Sequence, residues 1–159
     1  MGQDASFDID LDLDAKILNG AGEEMAVREL REQVTLAEPN IAVMREIVKP
    51  CNATLDCMLA LVSAATAGCD EFGLVVDLSD DVGGGFNPSY RLYIPKRFSA
   101  FYAAHRDRLR VIAVASTGSS LSRVASKFIV GRMTQMPLTI ENTRSEAIQA
   151  VREKLSDSG

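Results

Sequence analysis

A single histidine in 159 residues leaves little room for acid–base chemistry. His105 would have to serve every Ser-His-Asp or Cys-His scheme at once, and no such nucleophile set assembles around it. It falls on one helical face with Phe98, Phe101 and Tyr102, the setting of a packed, hydrogen-bonded imidazole. Cysteine is almost as scarce. Cys51, Cys57 and Cys69 are odd in number and two lie within a helical pattern, which opposes a disulfide framework; they read as reduced, structural thiols. No C-x2-C spacing or nearby His suggests a metal site, and no cofactor is expected. Long apolar runs are also missing. Nothing approaches the roughly 18 residues of a membrane span, and the start has neither the basic nor the apolar region of a secretory signal. The expectation is therefore a cytoplasmic protein.

What is present is a soluble, globular composition, 47% hydrophobic and 25% charged, in a chain long enough for one well-buried domain. The net charge of −5 conceals an asymmetry. Residues 1–80 carry five Lys/Arg against sixteen Asp/Glu, a net of −11, whereas residues 81–159 carry twelve against six, a net of +6. Overall acidity opposes nucleic-acid binding, which depends on phosphate neutralisation. The basic half points instead to a docking surface for an acidic protein partner, with the exposed candidates Arg91, Lys96, Arg97, Arg106, Arg108, Arg123, Lys127 and Arg132.

The first 30 residues read as an acidic extension. Phe7, Ile9, Leu11 and Leu13 alternate with Asp8, Asp10, Asp12 and Asp14, the pattern of an edge or loosely attached strand, before a loop through Asn19-Gly20-Ala21-Gly22. Residues 31–156 form the expected α/β domain. Apolar-rich segments 31–36 and 41–48 flank Ala37-Glu38-Pro39-Asn40, a hairpin turn, and Pro50 separates the second from the following helix. That helix starts near Asn52 or Thr54, places Leu55, Met58, Leu59, Val62 and Ala65 inward, and stops at Gly68.

Two nearly continuous apolar runs, 72–78 and 110–115, are the signature of buried parallel strands. Each ends in polar residues before a helical pattern. After the first strand, Asn87-Pro88 offers a helix start, but Pro95 predicts an interruption, with the main helix running from about Lys96. After the second, Leu121, Val124, Ala125 and Phe128 have helical spacing. A last strand at 137–140 precedes Asn142-Thr143-Arg144-Ser145-Glu146, a capping signal for a helix with Ala147, Ile148, Val151 and Leu155 inward. The order predicts a mixed, mostly parallel central sheet with about four helices.

The strand ends are where such sheets bind ligands. Ser116-Thr117-Gly118-Ser119-Ser120 has the hydroxyls and backbone N–H groups of an anion seat, or of simple capping. Gly83-Gly84-Gly85 lacks the Lys-Ser/Thr ending of a P-loop. Asp77, Asp80 and Asp81 form a carboxylate group that could hold Mg²⁺, with Asp77 as nucleophile and Ser116 or Thr117 as phosphate ligand in a phosphoryl-transfer enzyme.

The wording of Asn52-Ala53-Thr54-Leu55-Asp56, Leu74-Val75-Val76-Asp77-Leu78, residues 124–131 and Thr143-Arg144-Ser145-Glu146-Ala147-Ile148 resembles the STAS fold of bacterial anti-sigma factor antagonists and STAS/SEC14-like proteins, over roughly residues 31–156. The resemblance implies a non-enzymatic regulatory module, monomeric or homodimeric, whose partner is a kinase or anti-sigma-like regulator. It also implies a phosphorylated serine at the start of the helix after the central strand. The family's Asp-Ser-Ser/Thr-Gly wording is absent there, and Ser89 matches by place alone. A small-molecule or lipid-binding module is the alternative implied by the SEC14-like comparison, and the Asp77 enzyme is the third.

Overall fold

The computed structural model describes residues 12–45, 47, 49–78, 88–116 and 137–158. Its architecture is α/β. A small antiparallel pair, β1 (Lys16–Leu18) and β2 (Glu24–Ala26), is followed by a short helix α1 (Val27–Arg31). The main sheet then builds in chain order from β3 (Val34–Glu38), β4 (Ile41–Arg45), β5 (Phe72–Asp77), β6 (Leu109–Ala115) and β7 (Leu138–Glu141). The first pair is antiparallel and the others parallel, as the pattern predicts. The remaining described helices are α2 (Asn52–Ala65), α3 (Pro88–Ala104) and α4 (Arg144–Ser158).

Alternation along the strands sorts two cores. Ala42, Met44, Leu74, Val76, Ile112 and Val114 join Leu30 of α1, Leu55, Met58, Leu59 and Val62 of α2, and Ile94, Phe98 and Phe101 of α3. On the opposite face Ile41, Val43, Val75, Val111 and Ala113 meet Ala147 and Val151 of α4, with Ile148 and Leu155 at the margin. Every residue of β5 is buried, so its near-continuous apolar run reflects a strand covered on both sides. Gly73 permits this close approach. A Cβ there would lie far inside contact distance of Val151 Cγ1 and 3.4 Å from Val111 Cγ1.

Local signals explain several boundaries. Pro39 and Asn40 turn the β3–β4 hairpin, with a register shift between Leu36 and Glu38. At the start of α2, Thr54 Oγ1 accepts the Cys51 N–H at 2.8 Å and donates to the Cys51 carbonyl at 2.9 Å. Thr143 Oγ1 accepts the Glu146 N–H at 3.0 Å, the capping bond expected for α4.

Other expectations are corrected. Pro95 lies inside α3 and does not interrupt it. The missing N–H cannot bond to the Arg91 carbonyl, a local cost of about 3 kcal/mol. Burial of Ile94, Pro95, Phe98 and Phe101 along this face supplies the offset. Ala65 is exposed, and the buried side chain at that end of α2 is Thr66, whose Oγ1 donates to the Val62 carbonyl at 2.8 Å. Of the alternating 7–14 stretch, residues 7–11 lie outside the described residues. Asp12 accepts the Ala15 N–H at 3.0 Å in a turn, and among the described residues pairing begins at Lys16. The helix expected around Leu121, Val124, Ala125 and Phe128 also lies outside the described residues.

The β1–β2 hairpin is fastened to the β4–α2 connection. Gly20 N–H donates to the Lys49 carbonyl at 2.7 Å, and a Cβ on Gly20 would stand 2.5 Å from the Pro50 oxygen. Lys49 adopts φ 60° and its Nζ pairs with Glu23 at 3.1 Å. Leu13, Ala15, Ile17 and Met25 pack against the larger core, and Val27 and Leu30 are buried in it.

Candidate functional site

The four parallel strands end level with one another. Arg45 pairs in register with Asp77, Asp77 with Ala115, and Ala115 with Glu141. Pairing extends one residue further, because Leu78 N–H donates to the Ala115 carbonyl at 2.8 Å and Ser116 N–H to the Glu141 carbonyl at 3.0 Å. This edge brings together Asp77 and Ser116, two residues singled out from sequence. The Asp77 side chain is 4% exposed, and its Oδ2 accepts Arg144 Nε at 2.8 Å. A buried carboxylate requires such compensation. Ser116 is buried as well, and its Oγ has no hydrogen-bond partner among the described residues. Asp80, Asp81, Gly83, Gly84, Gly85, Thr117, Gly118, Ser119 and Ser120 lie outside the described residues. Among the described residues no group of three or more His, Cys, Asp or Glu side chains is arranged to hold a metal ion.

Ser89 sits in the first turn of α3 and is exposed. β5 is the central strand of the five, so Ser89 opens the helix that follows the central strand. Leu92, Lys96, Ser99 and Ala103 continue the exposed face of α3 at alternating spacings of three and four, and Leu92 is 50% exposed.

The basic candidates divide. Lys96 and Arg106 are exposed, the latter with its guanidinium 5.8 Å from the Tyr102 ring centroid. Arg97 is drawn inward: its Nε donates to Asp56 Oδ1 at 2.6 Å, and its side chain is only 15% exposed. Arg108 Nη1 donates to the Thr66 and Cys69 carbonyls at 2.9 and 3.1 Å, satisfying acceptors at the end of α2. Arg123, Lys127 and Arg132, and the side chain of Arg91, lie outside the described residues.

Asp56 also accepts the Tyr93 hydroxyl at 2.6 Å, so one carboxylate clasps α2 to α3. Burial, followed by the hydrogen bond and the negative charge of Asp56, pushes the Tyr93 phenol up to about 12. The neutral phenol is favoured in the folded chain. Its stabilising contribution is therefore complete below the ordinary tyrosine range near 10 and is lost as pH rises through about 12. Absorbance titration of phenolate should show one tyrosine ionising near pH 12 in the folded protein, absent from Tyr93→Phe. Ionisation of all tyrosines near their ordinary value would refute the clasp.

His105 lies at the opposite end of the sheet, stacked on Phe101 with ring centroids 4.3 Å apart and edge-on to Phe72 at 6.0 Å. Its Nδ1 is 2.9 Å from the Phe101 carbonyl, which can only accept, so this nitrogen carries the proton. Nε2 then accepts from Ser63 Oγ at 3.0 Å. Both residues are buried, so the pair is a core hydrogen bond at the end of the molecule away from Asp77. Sequence reasoning found the packed histidine but not Ser63. The cysteines are free thiols; burial, then the Asp56 charge, pushes the Cys57 thiol up, which disfavours its thiolate.

No protein-family model, curated protein or solved structure matches the chain significantly. No helix among the described residues is long and apolar enough to cross a membrane.

Proposed function

We propose that the chain is a non-enzymatic regulatory protein-interaction module of STAS type, working in a bacterial cytoplasm under the control of a partner kinase. The observation that carries this reading is Ser89, exposed in the first turn of the helix after the central strand. A hydroxyl there is accessible to a kinase. A phosphate added to it would be favoured locally by the helix N-terminus while placing new negative charge on the ridge that presents Leu92 and Lys96. Partner binding along that ridge would then be switched by modification. The phosphoryl-enzyme alternative needs a reactive Asp77 carboxylate, and this one is buried against Arg144.

Mass spectrometry of the protein purified from its own host should find phosphate on the peptide containing Ser89, absent from Ser89→Ala. Ser89→Asp should weaken recovery of the partner about tenfold, equivalent to about 1.4 kcal/mol. Unmodified Ser89 under every growth condition, with partner recovery indifferent to Ser89→Asp, would remove the switch.

A further inference from the structure

α3 contains one rung that its own backbone cannot make. Pro95 has no N–H to donate to the Arg91 carbonyl and its ring crowds that carbonyl, so the hydrogen-bond ladder is interrupted between residues 88–94 and the rest of the helix. Interruptions of this kind are where helices bend. The first segment carries Ser89 and Leu92, while Tyr90 and Ile94 seat it in the larger core. Apolar packing is non-directional, so burial holds the segment down without fixing its angle to the remainder.

Asp56 of α2 spans this gap. Tyr93 stands just before Pro95 and Arg97 just after it, and both reach the same oxygen: the Tyr93 hydroxyl and the Arg97 Nε each donate to Asp56 Oδ1 at 2.6 Å. Hydrogen bonds to a carboxylate are short, strong and directional, which is what packing lacks. A single side chain on a neighbouring helix therefore grips α3 on both sides of its missing rung.

We propose that α3 is hinged at Pro95 and that Asp56 is the latch, setting the angle at which residues 88–94 present Ser89 and Leu92. Asp56 is thus a positioning residue for the exposed ridge, which it does not itself join. The latch is a conformational device of the fold and holds whether or not Ser89 is ever phosphorylated. It makes a specific demand: if Asp56 replaces the missing rung, restoring that rung makes the latch redundant. An ordinary ion pair between two helices would contribute equally with or without Pro95.

The test is native-state hydrogen exchange of the full chain, followed by NMR, comparing the amides of Leu92, Tyr93 and Ile94 with those of Phe98, Phe101 and Tyr102. Asp56→Ala should speed exchange of the first group about tenfold relative to the second. In a Pro95→Ala background, whose new N–H can bond the Arg91 carbonyl, the same substitution should change that ratio by less than about threefold. Tyr93→Phe frees only the first segment, should shift the ratio in the same direction, and takes the place of Asp56→Ala if that variant fails to fold. Should Pro95→Ala fail to fold, the ratios of the single variants decide the matter. Equal acceleration on both sides of Pro95, or the same effect of Asp56→Ala with and without the proline, would overturn the proposal.

Discussion

Gly73→Ala should destabilise the fold by about 2–3 kcal/mol, the upper part of the range for overpacking a core. The new methyl group projects from β5 into Val151 of α4, with the Val111 side chain and carbonyl closing the space behind it. Restricting the unfolded chain returns about 0.4–1 kcal/mol, so the clash wins. For a chain of this size, thermal melting followed by circular dichroism should fall by roughly 4–12 °C. Val151→Ala costs stability alone but removes the opposing atom, so the double variant should be more stable than the summed single effects by over about 1 kcal/mol. An unchanged melting temperature for Gly73→Ala would mean that α4 does not pack on β5 at this point.

His105→Leu should lower stability by about 2–3 kcal/mol, although leucine is the more apolar side chain. The substitution deletes both the bond to Ser63 and the one to the Phe101 carbonyl, together with the stacking on Phe101. Chemical denaturation measures the loss, and the pair Ser63→Ala with His105→Leu should be less damaging than additivity predicts, because both substitutions remove the same hydrogen bond. Equal stability of His105→Leu and wild type would sink the assignment of a buried hydrogen-bonded imidazole.

These residues also show why the chain could be read only in part. β5 and β6 were legible because strands covered on both faces need apolar side chains at successive positions, a signal written within six or seven residues. α4 was legible for a similar local reason, since Thr143 caps it and Ala147 and Val151 mark its buried stripe. β1 and β2 escaped because three-residue, half-exposed strands carry too little periodicity to detect. Pro95 misled because the local rule was sound and distant packing outweighed it.

The site divides along the same line. Ser89 could be placed by counting elements from the central strand, and Asp77 by its position at a strand end. The tie from Asp77 to Arg144 spans 67 residues, and the one from Ser63 to His105 spans 42. Neither has a local signature; in both, the fold creates the neighbourhood.

The two faces of the sheet have different histories of assembly. Because the strands lie in chain order, each can join a neighbour made just before it, and α1, α2 and α3 can settle while the sheet is still growing. The opposite face must wait. Among the described residues, the helical cover of Ile41, Val43, Val75 and Val111 comes from α4, the last described element to emerge. During synthesis this is the surface that a chaperone would meet, and a chain stalled before Arg144 would present it for as long as the stall lasts.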